Sequence, residues 1–434
     1  MLETQDNSFL ELSPFERKIA QRYRRFFSIQ EIEEQPILQW GLGALLLALF
    51  ITFYEWVSSS AISVSTAMAG DASCWPYFQH CDGLYVLKTL PFYSQTTLYA
   101  FFFGIMLLVV YFMWRQKWVY AHMGMLVLYV WKFFVMFAVS AAVAGNFDYY
   151  DIVIGAVLLF LPYKEVFAKL AFVALYSLAG TVKIHEGWIT ASYFTTLVGG
   201  MPWFNSALAP LATNVVIAAE IAGAWFLLSR RLTFQRIAVS FFVFFHLYSI
   251  TMVAYRYPSS TLIMLLVLFG PLYQYTPPPL NRRAIVGWLF VVFLFFFQFL
   301  PKMIHGDDKW TLEANQYGLY MFGANHQCRS RVVYDLPDGK QATTTYESPH
   351  ALDRCNPYVH WLRIQRRCEY GGAVKAHWTF DHSINGHPFY RIVNVSDACV
   401  LTYKPLSHNS WIQIPGEGAP AIGRPLQDPY GTIR

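Results

Sequence analysis

The chain has 434 residues, of which 55% are hydrophobic, 18% aromatic and only 14% charged. Soluble domains carry about a quarter charged residues, so this balance excludes an ordinary soluble globular protein and points to a membrane protein. The net charge of +5 is small and its basic residues fall in short groups, without a basic face or nucleic-acid motif, so no nucleic-acid partner is expected.

The opening stretch, MLETQDNSFLELSPFERKIAQRYRR, is acidic and then amphipathic. It has no short apolar segment ending in a small-residue cleavage site, so no cleavable signal peptide is expected. Ser13, Pro14 and Glu16 have the pattern of a capping box with proline at the first helical position. This predicts a surface helix over about residues 14–27. Its aromatic and basic side chains suit a lipid headgroup region, although an ordinary solvated helix has the same pattern.

A helix of about 20 apolar residues crosses a bilayer. Apolar stretches lie near 37–57, 95–113, 118–143, 150–162, 166–183, 207–228, 235–254, 260–273 and 284–301, which predicts about nine transmembrane helices. The fourth and eighth are short, as tilted or half-buried helices are. Basic clusters fall at 16–25, 114–117, 163–169, 229–236 and 281–283. With nine spans all five share one side, which the charge bias of membrane loops makes the cytoplasm. The expectation is a multi-pass integral membrane protein with a cytoplasmic N-terminus and a periplasmic or lumenal C-terminal domain.

The six cysteines, Cys74, Cys81, Cys328, Cys355, Cys368 and Cys399, all lie outside the spans on the predicted outer side. Disulfides in an oxidising compartment are expected, with fifteen pairings open. A zinc site is the rival reading, but no C-x-x-C pair is present and no metal is expected.

After Pro301 the chain turns polar. Turn sequences PDGK (337–340) and INGH (384–387), with alternating runs SRVVYDL and KAHWTFDHSI, predict strands of a small α+β or mostly-β domain. Asn394-Val395-Ser396 is a glycosylation sequon, meaningful in a eukaryotic source. The expected organisation is an interfacial segment over 1–36, a transmembrane helical domain over 37–301 and an extracytoplasmic disulfide-bonded domain over 302–434. No internal repeat is apparent, which gives a transporter no support.

Ionisable side chains within spans are costly and mark candidate functional sites. Four stand out: Lys132, Lys183, Glu220 and His246. For Lys132 and Glu220 the bland reading is a structural ion pair or helix–helix hydrogen bond, and for His246 a satisfied core histidine. Lys183 lies near the outer boundary, where it could simply snorkel to the surface. Yet His185, Glu186 and Trp188 stand beside it with a polar domain to follow. Desolvation disfavours the ammonium form, so a lysine in a dry, lipid-accessible pocket becomes an amine able to act as base.

These residues resemble the vitamin K-dependent gamma-glutamyl carboxylase superfamily, bacterial membrane homologues included. Ala179, Gly180, Lys183, Ile184 and Trp188 reproduce the family's A-G-x-x-K-(L/I)-x-x-x-W segment in register. FFHLYSITMVAY (244–255) is similar to the family's Phe-His span and places His246 at its histidine. NFDYYDIVIGAVLLFLP (146–162) is similar to its polar turn, and KWTLEANQYGLYMF (309–322) to the segment opening its outer domain. Cys74 and Cys355 fall near the family's pair joining the first outer loop to that domain. The resemblance covers roughly residues 37–412 in colinear order.

The resemblance implies an enzyme, a carbon–carbon lyase of the carboxylase type, that couples oxygenation of a reduced vitamin K or other naphthoquinol to carboxylation of a glutamate in a peptide or protein. O2 and CO2 would be co-substrates, membrane lipid the surroundings, and a quinone-epoxide reductase a further partner. Lys183 would take a proton from the quinol and His246 would stabilise developing negative charge. Asp148, Tyr150, His185, Trp188 and Tyr320 would bind quinone or substrate. A side-chain base matched to neutral pH deprotonates a glutamate γ-carbon poorly, which is the physical reason for coupling to oxygenation in a dry site. The chain departs from the carboxylase proper in placing Tyr150 where that enzyme has histidine, and MFGANH after Tyr320. With about 130 residues after the spans, the propeptide-engaging domain of the animal enzyme is not expected. The alternatives are a quinol epoxidase or oxygenase uncoupled from carboxylation, another oxidation of a secreted peptide, and a non-enzymatic membrane partner or immunity factor for such a peptide.

Overall fold

The computed structural model describes residues 14–58, 74–79, 92–143, 146–195, 200–252, 256–315, 318–319, 324–348 and 355–423. A short amphipathic helix α1 (Pro14–Phe26) and a smaller α2 (Ile29–Glu34) precede α3 (Pro36–Ser58). Then come α4 (Phe92–Trp114), α5 (Trp118–Val143), α6 (Asn146–Phe160) and α7 (Lys164–Val182). Two four-residue helices, α8 (Glu186–Ile189) and α9 (Ser192–Thr195), lead to α10 (Ala209–Ile221), α11 (Leu232–Ser249), α12 (Arg256–Phe269) and α13 (Ile285–Met303).

All nine predicted apolar stretches are therefore helical, but the count of nine crossings is not supported. Among the described residues four segments are both long and apolar enough to cross a membrane: Pro36–Tyr54, Thr97–Trp114, Lys164–Val182 and Arg282–Met303. Helices α6, α10 and α12 have 15, 13 and 14 residues, short of the ~20 needed. One cause is visible at residue 222, where α10 ends and the apolar stretch continues as a 3-10 helix, Gly223–Leu228. The predicted surface helix is present as α1. Ser13 of its expected capping box lies outside the described residues.

Helix α7 is the hub, buried along almost its whole length and packed against α3, α6, α10, α12 and α13. Its sequence explains this. Ala168, Ala171, Ala174, Ser177, Ala179 and Gly180 let neighbouring backbones approach closely, as membrane helices require when lipid is as apolar as leucine. Gly180 is the tightest point: a Cβ there would sit 2.6 Å from Ile221 Cγ1 and 3.1 Å from the Ile221 backbone nitrogen. The absence of a side chain at 180 thus brings the end of α10 against the end of α7.

The N-terminal end of α7 is held by an unusual cap. Tyr163 is in the left-handed region with φ 55°, and no side chain of its own neighbourhood caps the helix. Instead Glu31 of α2 accepts hydrogen bonds from the backbone N–H of Tyr163 (3.0 Å) and Lys164 (2.7 Å).

After the one-turn helix α14 (Asp308–Thr311) the chain forms an antiparallel sheet. Its strands are β1 (His326–Asp335), β2 (Gln341–Ser348), β3 (Lys375–Ile384), β4 (Phe389–Val395) and β5 (Ala421–Gly423), in the order β2-β1-β3-β4-β5, with α15 (Pro357–Glu369) between β2 and β3. The two predicted turns close the β1–β2 and β3–β4 hairpins. In the second, Asn385 (φ 51°) and Gly386 (φ 77°) supply the two positive φ angles that a tight hairpin turn requires. Trp378, Phe380, Ile392 and Val393 are buried in the sheet, and Trp361, Leu362 and Ile364 of α15 are buried in the same core.

Disulfides join Cys328 to Cys355 and Cys368 to Cys399. The first corrects the pairing of Cys74 with Cys355 that the family resemblance implied: β1 and the entry to α15 bring Cys328 to Cys355 instead. Cys74 is disulfide-bonded too, and Cys81 lies outside the described residues. The C-terminal region meets the preceding chain through polar contacts. Tyr358 Oη donates to the Cys74 carbonyl at 2.6 Å, and Gln298 bonds both the N–H and the carbonyl of Leu319.

Candidate active site

Lys183 caps the C-terminal end of α7 with its own backbone still helical, its N–H bonded to the Gly180 carbonyl and the next N–H, of Ile184, to the Thr181 carbonyl. The chain then reverses. His185 is extended, and its Nδ1 accepts from the Gly187 N–H at 3.1 Å, which starts the short helix α8. That turn swings Trp188 back over the lysine, with Nζ 5.1 Å from the ring centroid. The ring is stacked against Tyr193 at 6.1 Å and meets Phe194 edge-on at 4.9 Å. Asn325, one residue before β1, donates from Nδ2 to the Tyr193 carbonyl at 2.6 Å. The start of the sheet is therefore tied to the segment that covers Lys183.

Lys183 is fully buried and does not snorkel. Nor is it the isolated amine that its sequence context predicts. Its Nζ hydrogen-bonds Oε2 of Glu220 on α10, also fully buried. The cause is the close approach at Gly180, which sets the Glu220 backbone beside α7. Among the described residues, the second carboxylate oxygen of Glu220, Oε1, and the indole Nε1 of Trp188 are both buried without a hydrogen-bond partner. Buried polar atoms are rarely left so, and two of them flanking one ammonium mark a place suited to a polar ligand.

His246, on α11, is fully buried and bonds the Tyr176 hydroxyl through Nε2 at 2.5 Å. Tyr176 precedes Lys183 by seven residues, two turns along the same face of α7. The Tyr176 ring stacks on Phe242, one turn before His246 on α11, at 4.2 Å. Helix α7 thus carries both the lysine and the group that fixes the histidine.

The remaining predicted site residues divide. Tyr150 is buried, its ring 6.4 Å from that of Tyr176, so α6 reaches the site through this contact. Asp148 is instead part of a buried charge network: Lys132 Nζ lies 3.0 Å from Asp148 and 2.7 Å from Asp151, and donates to Thr52 Oγ1 at 3.0 Å. This matches the bland reading of Lys132. His185 shapes the turn, Glu186 is exposed, and Tyr320 lies outside the described residues. Tyr176 was missed by sequence reasoning, although its spacing from Lys183 placed it on the right face. Glu220 was noticed, but not as the partner of Lys183.

No family model, curated protein or solved structure matches the chain.

The arrangement suits proton transfer. A buried lysine–carboxylate pair is stable only with good geometry and satisfied hydrogen bonds. Here one carboxylate oxygen keeps its acceptor capacity open beside an indole donor. A ligand carrying a hydroxyl could donate to Glu220 Oε1 and accept from Trp188 Nε1. The two ring oxygens of a reduced naphthoquinone have that chemistry, so the residues present fit such a group.

Proposed function

We propose that the protein is a membrane enzyme of the vitamin K-dependent gamma-glutamyl carboxylase type, with Lys183 and Glu220 acting as one proton-accepting unit. The observation that carries this reading is the buried ion pair with an open carboxylate oxygen under Trp188. When bound, a reduced naphthoquinone supplies the oxygen-dependent chemistry that a side chain cannot. Glu220 Oε1 receives the hydroxyl proton, and Lys183 offsets the charge and shares the proton through the Nζ–Oε2 bond. Tyr176 holds His246 in one orientation, which lets that ring face developing negative charge. Trp188, pinned by Tyr193 and Phe194, excludes water. Carboxylation of a peptide glutamate by CO2 completes the proposal, and quinol oxygenation without carboxylation is its narrower form.

The finer topology belongs with this reading. A cytoplasmic N-terminus and an outer disulfide-bonded sheet go with it, on the grouping of the basic clusters and the cysteines of the C-terminal region.

The test is turnover by protein reconstituted in lipid with a reduced naphthoquinone, O2, CO2 and a glutamate peptide. Epoxide and carboxylated peptide are expected, and Lys183→Ala or Glu220→Gln should lower the rate by about 100-fold or more. No product of either kind from the wild type would overturn the enzyme reading. The neutralised pair itself favours a second reading, in which Lys183 and Glu220 lock two helices of a non-enzymatic partner of a secreted peptide. In that case a doubly apolar variant at 183 and 220 keeps peptide binding.

A further inference from the structure

Helix α1 carries a surface that neither the proposed chemistry nor the helical core uses. Phe15, Ile19 and Phe26 are 72%, 49% and 77% exposed, and Lys18, Arg22 and Arg25 are exposed beside them. At roughly 100° per residue the three apolar side chains fall within about 40° of one another, and the three basic ones fill the adjoining sector. The opposite flank of the apolar stripe is docked. Tyr23 Oη bonds His122 Nδ1 at 2.7 Å, and Phe27, just after α1, packs on His122 and Phe160. Arg24 is engaged by Glu33 at 2.9 Å. Going round the helix, protein is followed by bare apolar side chains and then by exposed cations.

The position of α1 along the helices matters equally. His122 stands near the start of α5 and Phe160 ends α6, so α1 lies at one end of the apolar helices. Trp40, Trp114 and Tyr120 are exposed at this same end of α3, α4 and α5, as aromatic side chains are at a membrane–water boundary. A helix in that plane puts its apolar side chains among acyl chains and its cations at the phosphate level.

We infer that α1 is a binding surface for anionic phospholipid, with Lys18, Arg22 and Arg25 contacting the headgroups and Phe15, Ile19 and Phe26 inserted beside them. Charge complementarity commits the surface to an anionic lipid: a neutral bilayer would accommodate the apolar stripe but leave the cations uncompensated. Three cations near an anionic surface should strengthen attachment by roughly 100-fold.

Hydrogen exchange of residues 15–26 in full-length protein tests this. The protein is placed in nanodiscs of phosphatidylcholine alone, or of an equimolar mixture with phosphatidylglycerol. Exchange is expected to be slower in the mixed discs by on the order of 100-fold at low salt, with the difference shrinking at high salt. The triple variant Lys18→Glu/Arg22→Glu/Arg25→Glu should lose the difference while exchange in α7 stays unchanged, which shows that the fold is intact. Equal protection in both discs would overturn the inference in favour of apolar contact alone. Protection in lipid-free detergent that rises with protein concentration would overturn it in favour of a second copy.

Discussion

The ammonium of Lys183 and the carboxylate of Glu220 meet in full burial, each the other's compensating charge. Removing one partner strands a charge in a dry site and costs about 3–5 kcal/mol, whereas replacing both with apolar groups of similar shape is close to neutral. Lys183→Met and Glu220→Gln should each lower stability clearly, and Lys183→Met/Glu220→Leu should recover most of it. Unfolding in detergent, followed by circular dichroism, measures this. The double variant should remain inactive, which separates a catalytic pair from a structural one. Equal stability of single and double variants would sink the ion-pair assignment.

Gly180 sets that meeting. A Cβ at 180 would press on Ile221 Cγ1 at 2.6 Å and on the α10 backbone at 3.1 Å. The backbone cannot yield as a flexible side chain would, so Gly180→Ala should cost about 1–3 kcal/mol and move Glu220 away from Lys183. Gly43, with nothing near its Cβ position, is the control: Gly43→Ala should match wild type or gain slightly from helix propensity. Thermal unfolding of the two variants side by side decides.

The far end of α7 depends on Glu31, which takes two backbone N–H groups that a helix start leaves without intrahelical partners. A charged acceptor at this position also complements the helix dipole. Glu31→Ala should cost about 1–2 kcal/mol and raise hydrogen exchange at residues 163–166. Glu31→Gln, which can still accept, should lose less. An unchanged exchange pattern in Glu31→Ala would rule out the cap.

Much of this was legible in the chain. Apolar runs gave the positions of all nine long helical stretches, because a membrane helix satisfies its own backbone and needs only apolar length. They did not give how many cross, because apolar character survives where α10 breaks into a 3-10 turn. The hairpins were legible for a local reason: PDGK and INGH carry their own turn chemistry. The disulfide pairing was not, since it depends on how β1 and α15 are brought together in space. At the site, Lys183, His246 and Trp188 could be singled out one at a time. The bond from Lys183 to Glu220 spans 37 residues and follows from a missing side chain at Gly180, which sequence periodicity does not report. Tyr176 was hidden by its context, one aromatic among many in an apolar helix.

Acid should loosen the sheet domain through its buried histidines. His382 Nδ1–H donates to the Trp310 carbonyl at 3.0 Å, which leaves Nε2 to accept from His326 Nδ1–H at 2.9 Å. The two rings are stacked, Phe380 separates them from His360, and Arg363 adds positive charge near His360. Burial pushes His382 from the ordinary 6.5 down to about 4, against a smaller raising effect of its bond to the Trp310 carbonyl, and burial with smaller contributions from Arg363 and His382 pushes His360 to about 3. Because the folded values lie below the unfolded one, the unfolded chain binds more protons in acid. The stabilisation is complete above about pH 6.5 and declines as pH falls toward about 4, where His382 charges in the folded state as well. For His382 alone the loss over that window is on the order of 3 kcal/mol. Urea unfolding of the sheet domain in the full-length protein should show this decline, and His382→Gln should flatten it while lowering stability at neutral pH. A stability constant from pH 7 to pH 5 in the wild type would contradict a neutral buried histidine pair. So would a decline of unchanged slope in His382→Gln, which would place the titrating group elsewhere.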